Sequence, residues 1–144
     1  MKKTVNIKNA RSEDQANALK AIEKGKFCPF CRPDYIKNEH KKPILHEGKF
    51  WLATENRWPY EGAEHHLLFI HKEHIEHISS VTSESWAELK AIVSKMTKDL
   101  KMAGATFMLR FGDSSRTGGT VTHLHAQLVS GDPKNKKPVL ARVG

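Results

Sequence analysis

The chain has 144 residues, 38% of them hydrophobic and 28% charged, which fits one soluble globular domain large enough to bury a core. No apolar run is long enough to span a membrane, and the opening MKKTVNIKNARSED lacks the hydrophobic segment of a signal peptide, so we expect a cytoplasmic protein. The formal net charge of +8 predicts attraction to polyanions such as nucleic acid, although a solvated basic surface would explain the same charge.

The first predicted element is a short N-terminal helix. Ser12 followed three residues later by Gln15 resembles a capping box, which marks the start of a helix. The apolar pattern then continues to about Ile22, and Gly25 is a typical stop signal. We therefore expect a helix of about three turns in this part of the chain.

Three short strands are predicted next. Residues 43–56 read as two strands joined by a turn at Glu47–Gly48, and the apolar LLFI at 67–70 reads as a buried strand. Between them, NRWPYEGAEHH at 56–66 contains proline and glycine and is predicted to be a loop.

The longest predicted helix begins at Thr82, a good N-terminal cap, and is expected to end at Gly104. Its apolar side chains recur at helical spacing, namely Trp86, Leu89, Val93, Met96 and Leu100. Such a stripe fits burial against the chain's own sheet as well as burial against a second copy, so a homodimer stays open.

The last third of the chain is predicted to hold two more strands. TFMLRF at 106–111 and the segment 121–129 have strand character, while DSSRTGG at 113–119 reads as a flexible loop. The tail after Gly131 looks irregular. An antiparallel sheet with one long helix packed across it, an α+β fold, accounts for this order of elements.

The last predicted strand contains THLHAQLV, which carries polar side chains on alternate positions. Because strand side chains alternate between faces, one face should hold Val121, His123, His125, Gln127 and Val129. The other face should be the core face, with Thr122, Leu124, Ala126 and Leu128. A solvated polar face would explain one histidine. The H-x-H-x-Q pattern directly after the glycine-rich RTGGT instead indicates a phosphate-binding active site.

The stretch GGTVTHLHAQLVSG resembles the signature of the histidine triad (HIT) superfamily. The third histidine of that signature is Gln127 here, as in the branch of galactose-1-phosphate uridylyltransferase and the dinucleoside tetraphosphate phosphorylases. The upstream NRWPYEGAEHHLLFIHKEH is similar to the family's nucleotide-pocket segment. The resemblance implies a HIT-like catalytic domain over 27–131, an N-terminal helical extension over 1–26 and a basic tail over 132–144.

The resemblance also implies a mechanism. The family's nucleophile maps to His125, and a neutral imidazole can attack phosphorus without first losing a proton. A covalent nucleotidyl-histidine intermediate would form, and water, phosphate or another acceptor would then resolve it. His123 and Gln127 complete the catalytic set, but an amide cannot protonate a leaving group, which favours transfer or phosphorolysis over simple hydrolysis.

Cys28 and Cys31, the two cysteines of the chain, form a C-x-x-C pair in FCPFC. Such a pair is half of a tetrahedral zinc site, or a redox motif, or two reduced core cysteines. A redox pair is expected to open a helix, and Arg32–Pro33–Asp34 argues against a helix at this position.

The resemblance to the transferase branch implies a structural zinc ion held by two thiolates and two histidines. Matched by position, the histidine ligands are His74 and His123, with His65 or His66 as competing ligands. The remaining histidines, His40, His46, His71 and His77, are expected to be ordinary surface residues.

Several side chains are predicted to bind the nucleotide, with Tyr60 or Leu52 lining the base pocket beside them: Asn56, Trp58, His66, Arg116, Gly118, Gly119 and Thr120. For Trp58 and its neighbours, a merely packed loop explains the sequence nearly as well. Where many relatives carry asparagine before the glycines, this chain has Arg110–Phe111–Gly112–Asp113.

The sequence therefore predicts a nucleotide-binding hydrolase or nucleotidyltransferase acting on a nucleoside phosphate or a dinucleoside polyphosphate. The alternative is a zinc-stapled nucleic-acid-binding module with little or no catalysis, which the net charge of +8 and three tryptophans favour. The two hypotheses would be combined if the basic surface bound a nucleic acid and delivered its 5′-linked nucleotide to His125.

Overall fold

The computed structural model describes residues 2–144 and contains one five-stranded antiparallel sheet with the strand order β1-β2-β3-β5-β4. The strands are β1 Ile44–Glu47, β2 Trp51–Glu55, β3 Ala63–His71, β4 Thr106–Arg110 and β5 His125–Gly131. The helices are α1 Glu13–Gly25, α2 Pro33–Asn38, α3 Ser83–Asp99 and α4 Ser114–Thr117. The predicted α+β fold is confirmed.

The helix α3 packs across one face of the sheet and forms the main core. That core consists of Trp51, Ala53, Leu67, Phe69, Leu89, Ile92, Met96, Leu124, Ala126 and Leu128. The apolar stripe of α3 therefore buries against the chain's own sheet, and the predicted core face of β5 is confirmed. The buried indole of Trp51 is also satisfied, because its Nε1–H donates to the Ser85 carbonyl at 2.9 Å.

The two ends of α3 differ in how well the sequence located them. Thr82 caps the N-terminus, since its Oγ1 accepts from the Ser85 N–H at 3.1 Å. The predicted stop at Gly104 is wrong. The helix ends at Asp99, and Lys101 takes the left-handed conformation, with φ of 52°, that ends the helical path.

The N-terminal segment lies over the opposite face of the sheet. Ser12 caps α1 through a hydrogen bond from the Gln15 N–H at 3.1 Å, as predicted. The reciprocal bond of a capping box is displaced by one residue, because Gln15 Oε1 accepts from the Arg11 N–H at 2.8 Å. Leu19 and Ile22 lie on the inner side of α1 and are buried, so this extension is anchored to the domain.

Two loop predictions, and the argument against a helix after Cys31, are wrong because local composition concealed regular structure. The loop assigned to 56–66 ends early, since β3 already begins at Ala63. The short helix α2 follows Arg32, with Pro33 at its first position, where proline is well tolerated. The segment assigned to a flexible loop contains α4, which is capped by Asp113.

The last strand starts later than predicted. Strand β5 begins at His125, and the residues before it contact other segments of the chain. The Thr122 N–H donates to the Thr4 carbonyl at 3.0 Å, and the Leu124 N–H donates to the Ile75 carbonyl at 2.7 Å. His123 therefore precedes the paired strand, while its ring and the ring of His125 both pack edge-on against Phe30. Among residues 2–144, no helix has both the length and the apolar character needed to cross a bilayer.

Two histidines that were expected at the surface are buried. His40 is 8% exposed, and its Nε2 lies 2.8 Å from the Glu55 carbonyl, which fixes the proton on that nitrogen. His71 is 4% exposed and packs edge-on against Trp51. Their burial results from tertiary packing, which no local pattern around either residue indicates.

Candidate active site and metal centre

A cavity lies between the sheet and the N-terminal segment, with His125 and Gln127 on its sheet wall. In the sheet, His125 is paired with Ile70 and Arg110. Helix α1 closes the opposite side. The predicted residues that line the cavity are Asn56, Trp58, Tyr60, Gly118, Gly119, Thr120, His125 and Gln127.

The imidazole of His125 is held in one tautomer. Its Nδ1 lies 2.8 Å from the His123 carbonyl oxygen, which can only accept, so Nδ1 carries the proton and donates. Nε2 is therefore the nitrogen with the free lone pair. Burial lowers the pKa of His125 below its ordinary value, which favours the neutral ring. A neutral imidazole in this tautomer has the electronic state of a nucleophile.

The side-chain amide of Gln127 is oriented by His66. The Tyr60 N–H donates to His66 Nδ1 at 3.0 Å, so the proton of the neutral imidazole is on Nε2. That Nε2–H then donates to Gln127 Oε1 at 2.7 Å. The amide NH2 group of Gln127 is left as the end that can donate to a ligand. His66 itself lies behind Gln127 and does not line the cavity.

The pH dependence of stability should report the burial of His66. Burial lowers the pKa of His66 to about 4 from an ordinary value of 6.5, so the unfolded chain binds the extra proton first. The stabilising contribution is complete above pH 6.5 and is lost as the pH falls towards 4. It amounts to about 3 kcal/mol.

The measurement is chemical denaturation of the wild type and His66→Gln between pH 4 and 7.5. The difference in unfolding free energy between the wild type and His66→Gln should shrink by about 3 kcal/mol as the pH falls from 7.5 to 4. Gln127→Met removes the hydrogen bond but keeps the buried imidazole, so its deficit should stay nearly constant. A constant deficit for His66→Gln would contradict the account.

The electrostatics of the cavity are one-sided. Four arginines line it, Arg11, Arg57, Arg110 and Arg142, and no carboxylate does. Arg57 is balanced by Asp14 at 3.7 Å. The cavity therefore favours an anionic ligand beside His125.

The four predicted metal ligands come together beside β5. One ligand atom from each of Cys28, Cys31, His74 and His123 lies within 4.8 Å of the others. His123 Nδ1 is 3.5 Å from Cys28 Sγ and 3.4 Å from Cys31 Sγ, and it is 3.2 Å from His74 Nδ1. Ligand atoms around a tetrahedral zinc ion lie roughly 3.3–3.8 Å apart. The cluster could therefore hold a metal ion.

The histidines of this cluster are oriented as metal ligands require. His123 Nε2 donates to the His71 carbonyl at 2.5 Å, and His74 Nε2 contacts Glu76 Oε1 at 3.1 Å. Both histidines thus direct Nδ1 into the cluster and use the other nitrogen for a supporting bond. Burial lowers the pKa of His123 to about 4, which keeps its lone pair free.

The environment of the Cys28 thiol also fits a metal site. Burial raises its pKa to about 12, so without a nearby cation it stays protonated at neutral pH. A bound metal ion would supply that charge and displace the proton. The competing ligand His66 is excluded because both of its ring nitrogens are hydrogen-bonded elsewhere.

The metal cluster and the active site share one residue. His123 contributes its ring to the cluster, and its carbonyl oxygen accepts the Nδ1 proton of His125. His123 does not line the cavity, and its predicted catalytic role stays a prediction. Both rings pack edge-on against Phe30, and the backbone carbonyl of His123 links them as well.

Two residues predicted to contact the substrate do not line the cavity. Arg116 is exposed on α4 and does not line the cavity. Leu52 packs with Ile36, Leu68 and Ile70 in a separate apolar cluster. For Arg116, sequence proximity to the motif does not fix the direction of the side chain.

The glycine loop is built differently from the expected cradle of free backbone donors. The Gly118 N–H donates to the Ser114 carbonyl and the Gly119 N–H to Thr117 Oγ1, each at 3.2 Å. Gly118 has φ of +72°, and a Cβ there would come within 2.7 Å of the Arg142 carbonyl oxygen. This glycine therefore allows the tail to approach the active site.

Sequence reasoning missed several residues of the cavity wall, namely Asn9, Arg11, Gln15, Leu19, Ile22, Phe30, Tyr35, His40, Arg110 and Arg142. The sequence could have indicated Arg110, because it directly precedes the end of a predicted strand beside the motif. The N-terminal residues and Arg142 carry no local signal, since only the fold brings them to the sheet.

The nucleic-acid partner expected from the net charge stays a prediction. A second groove continues outward from the cavity and is lined by Arg11, Arg57, Trp58, Lys136 and Lys137 among others. Basic and aromatic side chains together are typical of surfaces that bind single-stranded nucleic acid.

Comparison with known proteins identifies close structural counterparts. Residues 28–138 match the family described as scavenger mRNA decapping enzyme C-term binding. A HIT family hydrolase from Clostridium thermocellum is 30% identical to this chain, with a TM-score of 0.56. The match covers 76% of this chain and 95% of the hydrolase. A HIT family hydrolase from Legionella pneumophila is 28% identical, with coverages of 78% and 99% and a TM-score of 0.55.

A zinc-bound histidine triad family protein from Mycobacterium smegmatis shares the fold. It is 20% identical, with coverages of 77% and 79% and a TM-score of 0.58. No curated protein sequence matches the chain significantly. The family match, the 30% identity over nearly all of one relative and the shared fold agree with the H-x-H-x-Q motif on the cavity wall. The chain belongs to the histidine triad superfamily.

Proposed function

We propose that the protein is a nucleotide hydrolase or nucleotidyltransferase that acts through a covalent nucleotidyl intermediate on His125. The observation that carries this proposal is the fixed tautomer of His125 in an arginine-lined cavity, with Nδ1–H on the His123 carbonyl at 2.8 Å. The HIT family hydrolases among its relatives support the same class of activity. The substrate is a nucleoside phosphate or a dinucleoside polyphosphate.

In the first step, the lone pair of His125 Nε2 attacks the phosphorus of the bound nucleotide. The NH2 group of Gln127, oriented by His66, donates to a phosphoryl oxygen and stabilises the charge that develops there. Gln127 cannot supply a proton to the leaving group, so the reaction suits leaving groups that depart as stable anions. An acceptor then attacks the same phosphorus and frees the histidine.

We further propose that the cluster binds zinc through Cys28, Cys31, His74 and His123. Two sulfur and two nitrogen ligands are a typical structural zinc set, and all four protein ligands leave no open position for substrate. When bound, the ion fixes the segment before β5. The chain's own contribution is to hold the His123 carbonyl against His125.

Replacing Gln127 by glutamate should separate orientation from charge. The carboxylate keeps an acceptor for His66 but turns the donor that faces the phosphate into a negatively charged oxygen. Loss of one such donor costs about 100-fold in kcat, and the added repulsion should increase the loss. Steady-state kinetics and thermal melting of the same sample would test this. Activity within threefold of the wild type would contradict the assigned role.

The substrate is found by testing nucleoside mono-, di- and triphosphates, dinucleoside polyphosphates and a capped dinucleotide. The capped compound belongs in the panel because the matching family is named after a decapping enzyme. Stopped-flow release of the leaving group should show a burst of about one equivalent per active site if the second step is slower. Turnover of none of these compounds would contradict the proposal.

A further inference from the structure

The cavity contains three guanidinium groups that no carboxylate balances. Among residues 2–144, the ion pairs of the structure include none with Arg11, Arg110 or Arg142. All three line the cavity that also contains His125. Cations grouped in this way repel one another, so an anion that binds among them is favoured.

Uncharged acceptors hold these three side chains in place. Arg110 Nε donates to the Thr117 carbonyl at 2.7 Å, and its Nη2 donates to the Arg142 carbonyl at 2.8 Å and to Tyr60 Oη at 3.2 Å. Arg11 Nη2 donates to the Trp58 carbonyl at 2.5 Å. Each guanidinium is therefore oriented while its full charge and some of its N–H groups remain for a ligand.

The arginines converge on one side of the catalytic pair. Arg110 is paired in register with His125, on the neighbouring strand. The Arg11 guanidinium lies over the Tyr60 ring at 4.5 Å, and the Tyr60 hydroxyl accepts from Arg110. Arg142 Nη2 donates to Asn9 Oδ1 at 3.1 Å and completes the group from the tail. Two of the three arginines thus lie outside the residues 28–138 that match the family.

We infer that Arg11, Arg110 and Arg142 bind the departing phosphate groups of the substrate, which is therefore a phosphoanhydride with an anionic phosphate or pyrophosphate leaving group. This inference rests on the proposed nucleophilic role of His125. As its Nε2 forms the P–N bond, the anhydride P–O bond breaks and its electron pair leaves on the phosphate oxygen. Water later attacks the same phosphorus, the P–N electron pair returns to Nε2, and the water proton passes to solvent.

The chemistry of Gln127 fits such a leaving group. A phosphate group with a second pKa near 6 departs at neutral pH without being protonated, so an amide in place of the usual third histidine is no handicap. What the leaving group does require is compensation of its charge. Three guanidinium groups provide that compensation through charge-assisted hydrogen bonds.

The test compares two substrates that share the nucleotidyl group. One is a nucleoside triphosphate, which releases pyrophosphate, and the other is the p-nitrophenyl ester of the same nucleoside monophosphate. Arg11→Gln and Arg142→Gln should each lower kcat/KM for the triphosphate roughly 10- to 100-fold, the value of one charge-assisted hydrogen bond. The ester should lose less than about threefold, because its leaving group carries no phosphate.

Matched controls remove a nearby positive charge outside the cavity. Lys20 lies on α1, Lys134 lies in the tail, and neither lines the cavity. Lys20→Gln and Lys134→Gln should each keep the wild-type kcat/KM for both substrates. Equal losses on both substrates, or no loss on either, would overturn the inference while leaving the role of His125 intact.

A binding measurement separates this inference from the proposed function. If the wild type turns over neither substrate, the full substrate panel still decides the role of His125, and titration calorimetry with inorganic tripolyphosphate decides the arginine site alone. Binding by the wild type that weakens at least 10-fold in Arg11→Gln and Arg142→Gln supports the site. No binding, or equal binding by all variants, overturns it.

Discussion

Replacement of His125 by alanine is expected to lower kcat for nucleotide turnover by about 10⁴-fold or more, the usual loss when an enzyme loses its nucleophile. The loss should appear with every substrate that the wild type accepts, because all of them would pass through the same imidazole. Binding of the nucleotide should weaken far less, since the arginines, Asn56 and Trp58 still line the cavity.

Two controls keep this result interpretable. The variant should retain the metal content and melting temperature of the wild type within a few degrees, because the His125 ring bonds only to a backbone carbonyl. His125→Asn offers a second variant whose amide can keep a hydrogen bond to that carbonyl without being nucleophilic. Turnover by either variant at the wild-type rate would exclude the nucleophilic role.

Loss of the metal centre should have the second-largest effect, and on stability as well as on activity. Cys28→Ser or His74→Ala removes one of four ligands, and we expect the purified variant to lose its bound metal. Without the ion, the buried His123 and the segment before β5 lose their anchor. An expected cost of about 3 kcal/mol corresponds to a fall in melting temperature of roughly 10 °C for a domain of this size.

The measurement combines elemental analysis with thermal melting, before and after treatment with a chelator. His77→Asn is a matched control, because this exposed histidine lies three residues after His74 but outside the cluster, and asparagine can keep the cap on the Ser79 N–H. The control should bind one metal ion per chain and melt like the wild type. Wild-type protein that is metal-free after growth with added zinc would exclude the proposed centre.

Much of the fold follows from short-range patterns in the sequence. The alternation at Leu124, Ala126 and Leu128 identifies the core face of β5 because burial on one face of a sheet repeats every two residues. Thr82 marks the start of α3 because a side-chain oxygen must accept one of the free N–H groups there. Both features depend only on neighbours along the chain.

The metal ligands could be assigned from the sequence only with the help of a resemblance. The C-x-x-C spacing indicates two ligands, but His74 and His123 lie 49 positions apart, and neither has a local signal for the site. The structure brings them together because the chain leaves the sheet before His125 and contacts the segment after β3. The same departure carries His123 out of the paired strand and into the cluster.

The arginine site could not be predicted for a different reason. Arg11 and Arg142 reach the cavity from segments on either side of residues 28–138, which match the family, and the distance between them along the chain hides their proximity. Arg116 was chosen instead because it is next to the glycines, yet it is exposed on α4. Charge in a sequence predicts that anions bind, whereas only the tertiary contacts predict which arginines bind them.

The central claim concerns a bond between His125 and the phosphorus of a nucleotide. Intact mass spectrometry after brief mixing with substrate tests it most directly, with quenching at alkaline pH because phosphoramidate bonds are labile in acid. The account predicts that the wild type gains the mass of one nucleotidyl group and that His125→Ala gains none. Wild-type protein that turns substrate over without ever carrying the adduct, or a His125→Ala variant that carries it, would contradict the account.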